Sequence, residues 1–428
     1  MTALIGIWRG SLEARAGTSA RTLGHAAKFA FLNVPAHGHT NPTLAVVAEL
    51  ARRGHRIEYW SFEQFRAAVE RSGARFRAYP DLPDYEARQA ADNLIRLARL
   101  LMEVTARVLP ALIDALTADR PDVVVHDALA VWGAYVARVL HIPAAASIST
   151  FVIDDRVIRR DPALLVYGLG QVAAALPEVL AFERVRRSLR RRFGAPPPRA
   201  GEIWSARERL NLVFTSRELQ PFGDLFDETY AFVGAALRQE QLSDTDLEGL
   251  PRGPLIYVSL GTLFNRRPEF FRAAIEAFAE RPEPLVLSVG DSVDSASLGP
   301  LGPRVHVRAF VPQLALLRRT TLFVTHGGMN SVNEALYFGV PLVVYPQVHD
   351  QLIVARRVAA LGAGRTLRAQ VSAADLRDAA TAVLMDPGYR RRAVELGATL
   401  QAGGGADRAA DELERLASVA TAARERTS

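Results

Sequence analysis

The sequence of 428 residues contains no cysteine, so it cannot form disulfides, ligate zinc through thiolates or use a thiol nucleophile. It also lacks any run approaching the roughly 18–20 uninterrupted apolar residues that a membrane-spanning helix needs. Residues 1–17 are weakly apolar and lack the long apolar block of a secretory signal. These absences predict a cytoplasmic protein without stable membrane insertion.

The basic residues are almost all arginine, and the formal net charge of +6 is modest for the length of the chain. One dense cluster stands out, Arg184 to Arg192 in the segment ERVRRSLRRRF. A solvated helix face explains such a cluster, and an anionic partner or a membrane surface is the alternative. No nucleic-acid-binding motif accompanies the arginines, which disfavours nucleic acid as a partner.

The length and the 49% of hydrophobic residues are ample for two domains with separate cores. In both halves, buried-type strands alternate with helices at about 30-residue spacing, the pattern of a parallel sheet covered by helices. The fold class predicted is α/β, with two facing doubly wound (Rossmann-like) domains and a cleft between them. The predicted segments are an extension at 1–27, a first domain at 28–235, a linker at 236–253, a second domain at 254–405 and a final helix at 406–428 that could pack back on the first domain.

The most informative stretch runs from Phe310 to Gln351 and reads as one strand–turn–helix–strand unit. Its strand, Thr321 to Thr325, ends at His326-Gly327-Gly328, a turn in which two glycines let the backbone approach a ligand. Asn330 or Ser331 is predicted to cap the helix that follows. A helix N-terminus at the carboxyl end of a parallel strand favours anions, because free N–H groups and the positive end of the dipole point outward.

Five polar groups converge near this helix, and they distinguish it from an ordinary βα turn. His326, Ser331 and Glu334 lie around one turn, and Asp350-Gln351 follows the next strand. The glycines alone could serve only to close a tight turn. Five polar groups at one crevice are hard to explain as packing.

The spacing of this segment resembles the nucleotide-sugar signature of family-one glycosyltransferases, specifically the bacterial enzymes that glycosylate macrolides and other natural products. The resemblance extends from about Lys28 to about Leu416 and implies the two-domain GT-B fold. The residues that carry it are Pro312-Gln313, His326-x-Gly328-x-Asn330-Ser331-x-x-Glu334, Pro341 and Asp350-Gln351.

The resemblance also assigns the donor site to the second domain. His326 and the helix N-terminus near Gly328 would hold the diphosphate, and Glu334 would accept hydrogen bonds from the ribose hydroxyls. Asp350 and Gln351 would bind hydroxyls of the transferred sugar. Phe310 stands where many relatives carry tryptophan and would offer a stacking face to the base. The remaining donor-site residues are Thr262 and Asn330 and Ser331 near phosphate, the backbone of Val311 at the base, and Gln313.

Two histidines, His37 and His39, occupy the first βα loop, PAHGHTNP, and Asp127 ends a neighbouring strand. A histidine oriented by a buried aspartate makes a general base at neutral pH. The resemblance maps the catalytic dyad of the family onto His39 and Asp127 and leaves His37 lining the acceptor pocket. Strand alternation points His126 to the opposite face, where its role would be structural.

Residues 151–205 lose the strand–helix alternation and become helical and irregular. Their apolar side chains fit a helical pair packed on the sheet, or an apolar pocket for a hydrophobic acceptor. Phe151 is predicted to belong to that acceptor pocket.

The function predicted is an inverting, metal-independent transfer of a hexose from a UDP- or dTDP-sugar, UDP-glucose for example, to a hydroxyl of a small hydrophobic natural product. The nucleotide-sugar is a co-substrate, no cofactor is expected, and the protein would be a monomer or a weak homodimer. The pair Asp291-x-x-Asp294 is read as a solvated loop rather than a metal site. The alternatives are a sugar-nucleotide epimerase, a non-catalytic sugar-nucleotide-binding auxiliary protein, and a glycolipid or sterol glycosyltransferase at a membrane surface.

Overall fold

The computed structural model describes residues 26–79, 93–238, 247–262, 265–291, 293–368 and 370–425. The predicted extension at 1–27 lies almost wholly outside these ranges, and so do residues 239–246 of the predicted linker. Within these ranges the chain forms two all-parallel sheets, with helices on both sides of each.

The first sheet has the strand order β3-β2-β1-β4-β5-β6-β7 in the described part of the chain. The chain starts at β1 inside the sheet, adds β2 and β3 on one side of it, and then adds β4 to β7 on the other side. Right-handed crossovers place each new parallel strand beside an earlier one. Its strands are β1 (Lys28–Leu32), β2 (Arg56–Ser61), β3 (Arg75–Ala78), β4 (Val123–Asp127), β5 (Ala144–Ile148), β6 (Leu210–Val213) and β7 (Tyr230–Phe232). Its helices are α1 (His37–Arg52), α2 (Arg66–Arg71), α3 (Leu94–Ala118), α4 (Val131–Val139), α5 (Asp155–Arg160), α6 (Pro162–Ala174) and α7 (Leu176–Phe193).

The second sheet has the order β10-β9-β8-β11-β12-β13 within the same ranges. Its strands are β8 (Leu255–Ser259), β9 (Leu285–Ser288), β10 (Val305–Arg308), β11 (Thr320–Thr325), β12 (Leu342–Val344) and β13 (Gly364–Thr366). Its helices are α8 (Pro268–Phe278), α9 (Gln313–Leu317), α10 (Met329–Tyr337), α11 (His349–Ala360), α12 (Ala373–Met385) and α13 (Pro387–Ala402), and a final helix α14 spans Gly405–Glu425.

Four local features differ from the sequence-based expectation. The first βα loop is shorter than predicted, because α1 already begins at His37 and therefore contains both His37 and His39. The edge strands β7 and β13 were not expected, because three residues are too few to show a periodic pattern. The predicted side-chain cap of α10 by Asn330 or Ser331 is wrong. The helix begins at Met329 with Gly328 in extended conformation as its N-cap, and no side chain caps it.

The region of α5, α6 and α7 is buried on one side and exposed to solvent on the other. Phe182 and Leu189 of α7 are buried against α3. Leu165 and Leu169 of α6, however, are exposed to solvent. Phe151 is buried in a cluster that includes residues of the second domain.

The two domains are held together by a buried amide on α10. Asn333 Nδ2 donates to the Phe214 carbonyl at 2.7 Å, and its Oδ1 accepts from the Thr215 hydroxyl at 2.9 Å. Asn333 is buried, so both groups would lose their partners if the domains separated. Arg357 of α11 adds a second connection by donating to the Leu219 carbonyl at 2.9 Å.

The final helix α14 returns from the second domain to pack on the first. Ala410 and Leu413 join the core beneath α1. Glu414 accepts hydrogen bonds from Arg53 Nη1 at 3.0 Å and from His55 Nε2 at 2.8 Å. The His55 Nδ1 atom accepts from the Ala27 N–H, so the ring proton lies on Nε2 and points at Glu414.

We expect Glu414→Ala to lower the free energy of unfolding by roughly 2 kcal/mol, because the buried Nε2–H of His55 loses its acceptor, while Arg53 keeps Glu49 and Asp411. Asp411→Ala is the matched control. Asp411 also pairs with Arg53, at 2.6 Å, but its side chain is half exposed, so the loss should be about 1 kcal/mol or less. Urea unfolding of both variants checks this, and equal losses would contradict it.

Candidate active site

The candidate site begins at the carboxyl edge of the first sheet, where β1, β4 and β5 end side by side. The register pairs Leu32 of β1 with His126 of β4, and Asp127 with Ser147 of β5. The loop after β1 leads into α1, which begins at His37. This arrangement brings His39, at the start of α1, over the end of β4.

His39 contacts Asp127 directly, with Nδ1 2.8 Å from Oδ2. The Asp127 side chain is fully buried, and its other oxygen accepts the Leu129 N–H at 2.8 Å, which fixes the carboxylate. The Ser149 hydroxyl lies 3.0 Å from the same Nδ1. With Nδ1 protonated towards Asp127, the neutral ring carries its free lone pair on Nε2.

The pKa of His39 is raised above its ordinary value. Burial of the ring favours the neutral form, but the charge and hydrogen bond of Asp127 outweigh it, and the charge of Asp350 adds to the effect. The Asp350 carboxylate belongs to α11 of the second domain. The dyad of the first domain is therefore influenced by a charge that lies across the cleft.

A buried asparagine supports the first turn of α1, which carries His39. Asn33 Nδ2 donates to the His39 carbonyl at 3.2 Å and to the Tyr59 hydroxyl at 2.7 Å. Asn33 follows directly after β1, and only its place at the carboxyl end of that strand could have pointed to it in the sequence. Ser149, just after β5, is a similar case and was likewise not singled out there.

His37 and His126 lie in different surroundings from His39. His37 is exposed, with its ring 5.0 Å from the ring of Phe65, and its pKa is lowered by partial burial and by the charge of Arg238. His126 is buried, with Nε2 3.3 Å from Glu208 and Nδ1 3.0 Å from the Asp127 carbonyl. These contacts fit the structural role expected for His126.

On the second domain, His326 is confined between two glycines. A Cβ atom on Gly328 would lie 2.4 Å from its Nε2, and one on Gly261 would lie 2.6 Å from its Cε1. Both positions therefore require glycine. Burial lowers the pKa of His326 to about 4, despite a hydrogen bond with the Ser259 backbone. The ring is neutral at physiological pH, so it brings no charge, and its single N–H already has the Ser259 backbone as its partner.

Glu334 of α10 is held by Gln313, whose Nε2 donates to Oε2 at 2.6 Å and to the Ser331 hydroxyl at 3.2 Å. The Tyr257 hydroxyl donates to Gln313 Oε1 at 3.2 Å and fixes the amide orientation. Burial raises the pKa of Glu334 to about 7, although Gln313 and Arg238 favour the carboxylate. This group changes its charge near neutral pH.

The remaining candidate donor residues differ in exposure. Phe310, Thr262 and Asp350 are exposed, whereas Val311 and Asn330 are partly buried. Gln351 is buried, and its Oε1 accepts from the Gln347 N–H at 2.9 Å, so its carbonyl oxygen is already engaged with backbone. A small open cavity lies between the two domains; it is lined by Asn41, Pro42, Phe214, Ala235, Ala236, Leu237, Arg238, Leu314, Asn330, Asn333 and Glu334.

Two further residues interact with the charged groups of the cleft, and the sequence analysis gave neither of them an individual role. Arg238, just after the first domain, lines the cavity and acts electrostatically on both His37 and Glu334. Tyr167 of α6 is partly buried, and burial together with the charge of Asp350 raises its pKa to about 12. Neither belongs to a recognisable motif, so only tertiary contacts reveal them.

No group of three or more histidine, aspartate or glutamate side chains that could hold a metal ion occurs in the described ranges. Asp294 instead caps a short helical turn, since its Oδ1 accepts the Ala296 N–H at 3.0 Å.

Comparison with known proteins gives consistent matches along the chain. Residues 250–402 match the family model described as UDP-glucoronosyl and UDP-glucosyl transferase. NDP-glycosyltransferase YjiC of Bacillus licheniformis is 33% identical over 403 residues, covering 92% of this chain and 98% of that protein. Demethyllactenocin mycarosyltransferase of Streptomyces fradiae is 35% identical over 407 residues, covering 92% and 87%.

A solved structure agrees with these sequence matches. The crystal structure of the glycotransferase of kitacinnamycin is 34% identical and superposes with a TM-score of 0.79. The match covers 92% of this chain and 100% of that one.

We expect Asp127→Asn to lower the pKa of His39 below the ordinary histidine value of about 6.5, because burial remains while the stabilising charge is lost. Titration of the ring by NMR measures this. Asp119→Asn is the control, since Asp119 pairs with Lys28 at the opposite end of β1 and should leave the titration unchanged. An unchanged pKa in Asp127→Asn would show that the contact does not govern the ring.

Proposed function

Because the chain belongs to the family of UDP-glucosyl and related glycosyltransferases, we propose that it transfers a hexose from a UDP- or dTDP-sugar to a hydroxyl of a small hydrophobic acceptor. In this proposal the configuration at the anomeric carbon is inverted. The chain is a glycosyltransferase of the macrolide and natural-product type with two Rossmann-like domains. The relatives named for demethyllactenocin and kitacinnamycin support a polyketide-like or similar natural product as the acceptor.

The observation that carries the proposal is the contact of 2.8 Å between His39 Nδ1 and Asp127 Oδ2. In this mechanism, Nε2 of the neutral ring removes the proton from the acceptor hydroxyl as the oxygen attacks the anomeric carbon. Asp127 fixes the tautomer and stabilises the imidazolium that forms. The bond between the anomeric carbon and the diphosphate oxygen breaks on the opposite face, so the configuration inverts.

The leaving nucleoside diphosphate would be received by the turn of the second domain. The N-terminus of α10, with its free N–H groups, stabilises the developing negative charge. In this proposal the single N–H of His326 turns from the Ser259 backbone to the diphosphate when the donor binds, and the pKa of about 4 keeps the ring uncharged. In this proposal these groups, and no divalent ion, meet the charge of the diphosphate.

The nucleoside would be recognised further along the same helix. Glu334 accepts hydrogen bonds from the ribose hydroxyls, and Gln313 holds its carboxylate in place. The exposed ring of Phe310 offers a stacking surface to the base. Asp350 contributes to the sugar site from the beginning of α11, near His39.

We expect His39→Ala to reduce turnover by about 10²–10⁴-fold, the usual worth of a general base, while donor affinity stays nearly constant. At saturating donor, the acidic limb of the pH–rate profile should disappear in this variant. His37→Ala is the matched control from the same turn of α1 and should change acceptor affinity instead. An inactive His37→Ala beside an active His39→Ala would make His37 the base, and full activity in both would refute the mechanism.

We also expect donor affinity to depend on Glu334 and on pH. The carboxylate accepts ribose hydroxyls better than the protonated acid, so affinity should fall as pH drops through about 7. Glu334→Gln should bind donor roughly 1–3 kcal/mol more weakly above that pH and lose this pH dependence. Calorimetry with UDP or dTDP measures both, with Glu269→Gln on the exposed face of α8 as the control. A pH dependence retained in Glu334→Gln would assign the titration to another group.

A further inference from the structure

Helix α6 exposes an unusual surface. Its sequence, PALLVYGLGQVAA, contains no charged residue, yet most of the helix faces solvent. Leu165, Val166, Leu169 and Val172 are 47%, 69%, 63% and 38% exposed. At 3.6 residues per turn these four lie within a sector of roughly 120°. Contiguous exposed apolar surface of this kind marks an interaction site.

The opposite side of α6 anchors it to the first domain. Leu164 is buried, and the Gln171 side chain accepts from the Leu94 N–H at 3.0 Å at the start of α3. The Gln171 carbonyl also accepts from Asn93 Nδ2 at 3.1 Å. Because these contacts fix the inner side of α6 to the first domain, the apolar residues on its other side face solvent.

Helix α7 continues the same surface and adds positive charge. Leu176 and Leu180 are exposed near its beginning, followed by the exposed Arg184, Arg187 and Arg191. All five lie within a sector of roughly 80° at 3.6 residues per turn. The buried Phe182 and Leu189 lie on the opposite side, against α3. The outer stripe of α7 therefore changes from apolar to basic along its length.

We propose that the docking face, formed by the apolar residues Leu165, Val166, Leu169, Val172, Leu176 and Leu180 and by Arg184, Arg187 and Arg191, binds the surface of a bilayer that contains anionic lipids. Apolar side chains beside a row of arginines are the combination that places helices at the boundary between headgroups and acyl chains. The arginines match the negative charge of the lipid phosphates.

Docking on the surface fits the two helices better than crossing the bilayer. Among the described residues, no single helix is long and apolar enough to span a membrane. Helices α6 and α7 are long and apolar enough only when taken together, and the chain bends by 83° between them. Helix α7 carries six arginines and is packed against α3, which holds it at the surface of the domain.

The docking face lies behind the candidate active site. Asp161, the N-cap of α6, lies 3.9 Å from Arg356 of α11, the helix that also carries Asp350 of the candidate site. A docked protein would therefore hold the cleft close to the bilayer, where hydrophobic acceptors concentrate. The docking itself does not rest on the proposed reaction, and its test measures no sugar transfer.

Flotation of the full chain with vesicles tests the proposal. Wild type should float with vesicles that contain phosphatidylglycerol, bind far less to pure phosphatidylcholine, and detach as salt rises, because salt screens the arginines. Arg187→Glu with Arg191→Glu should lower binding by roughly twenty-fold or more. Leu169→Glu with Leu176→Glu should abolish it by removing the apolar contact.

Matched controls separate the docking face from general charge and hydrophobicity. Arg390→Glu with Arg391→Glu reverses two exposed arginines on α13, and Leu301→Glu changes an exposed apolar residue of the second domain; both should float like wild type. Each variant should keep the melting temperature and the UDP or dTDP affinity of wild type, which shows that it is folded.

The proposal is overturned if wild type does not float with anionic vesicles at low salt. It is also overturned if the control variants lose binding as much as the docking-face variants. Light scattering supplies a further outcome: a dimer that Leu169→Glu with Leu176→Glu converts to monomers, without any vesicle binding by wild type, would make this face a contact between two copies of the chain.

Discussion

The cleft depends on a buried amide, Asn333, which connects the first domain to the helix that also forms the candidate donor site; Arg357 and α14 add further connections. Its amide is satisfied by Phe214 and Thr215 of the first domain. Ser331 and Glu334 lie on the same helix within one turn. A buried polar side chain that loses its partners costs about 1–3 kcal/mol, so the position of α10 and the position of the first domain are fixed together.

Burial acts on three titratable groups of the cleft, with different outcomes. For His326 nothing nearby outweighs the loss of water, so the ring stays neutral. For Glu334 the same loss moves the pKa to about 7. For His39, the carboxylate of Asp127 reverses the effect, and the ring becomes a stronger base. The difference comes from the neighbours, since each group is an ordinary histidine or glutamate in the sequence.

The region of α5 to α7 shows how one segment can serve two surfaces. The inner side of α6 brings Tyr167 towards Asp350, and its outer side leaves leucine and valine in solvent. A helix with apolar residues on most of its circumference can satisfy both demands only when one side meets protein and the other meets a different apolar or amphipathic phase.

The sequence alone determined the two parallel sheets, because buried strands and amphipathic helices alternate with periods that neighbouring residues set. It also predicted that His39 and His326 follow the carboxyl ends of their strands, since ligand sites lie at the carboxyl ends of parallel strands. Only the tertiary structure decided that Ser149, Asn33, Tyr167 and Arg238 join them, and that Phe151 and the Gln351 oxygen turn inward. Burial, side-chain direction and contacts between distant segments set these outcomes, and none of them leaves a periodic signal in the chain.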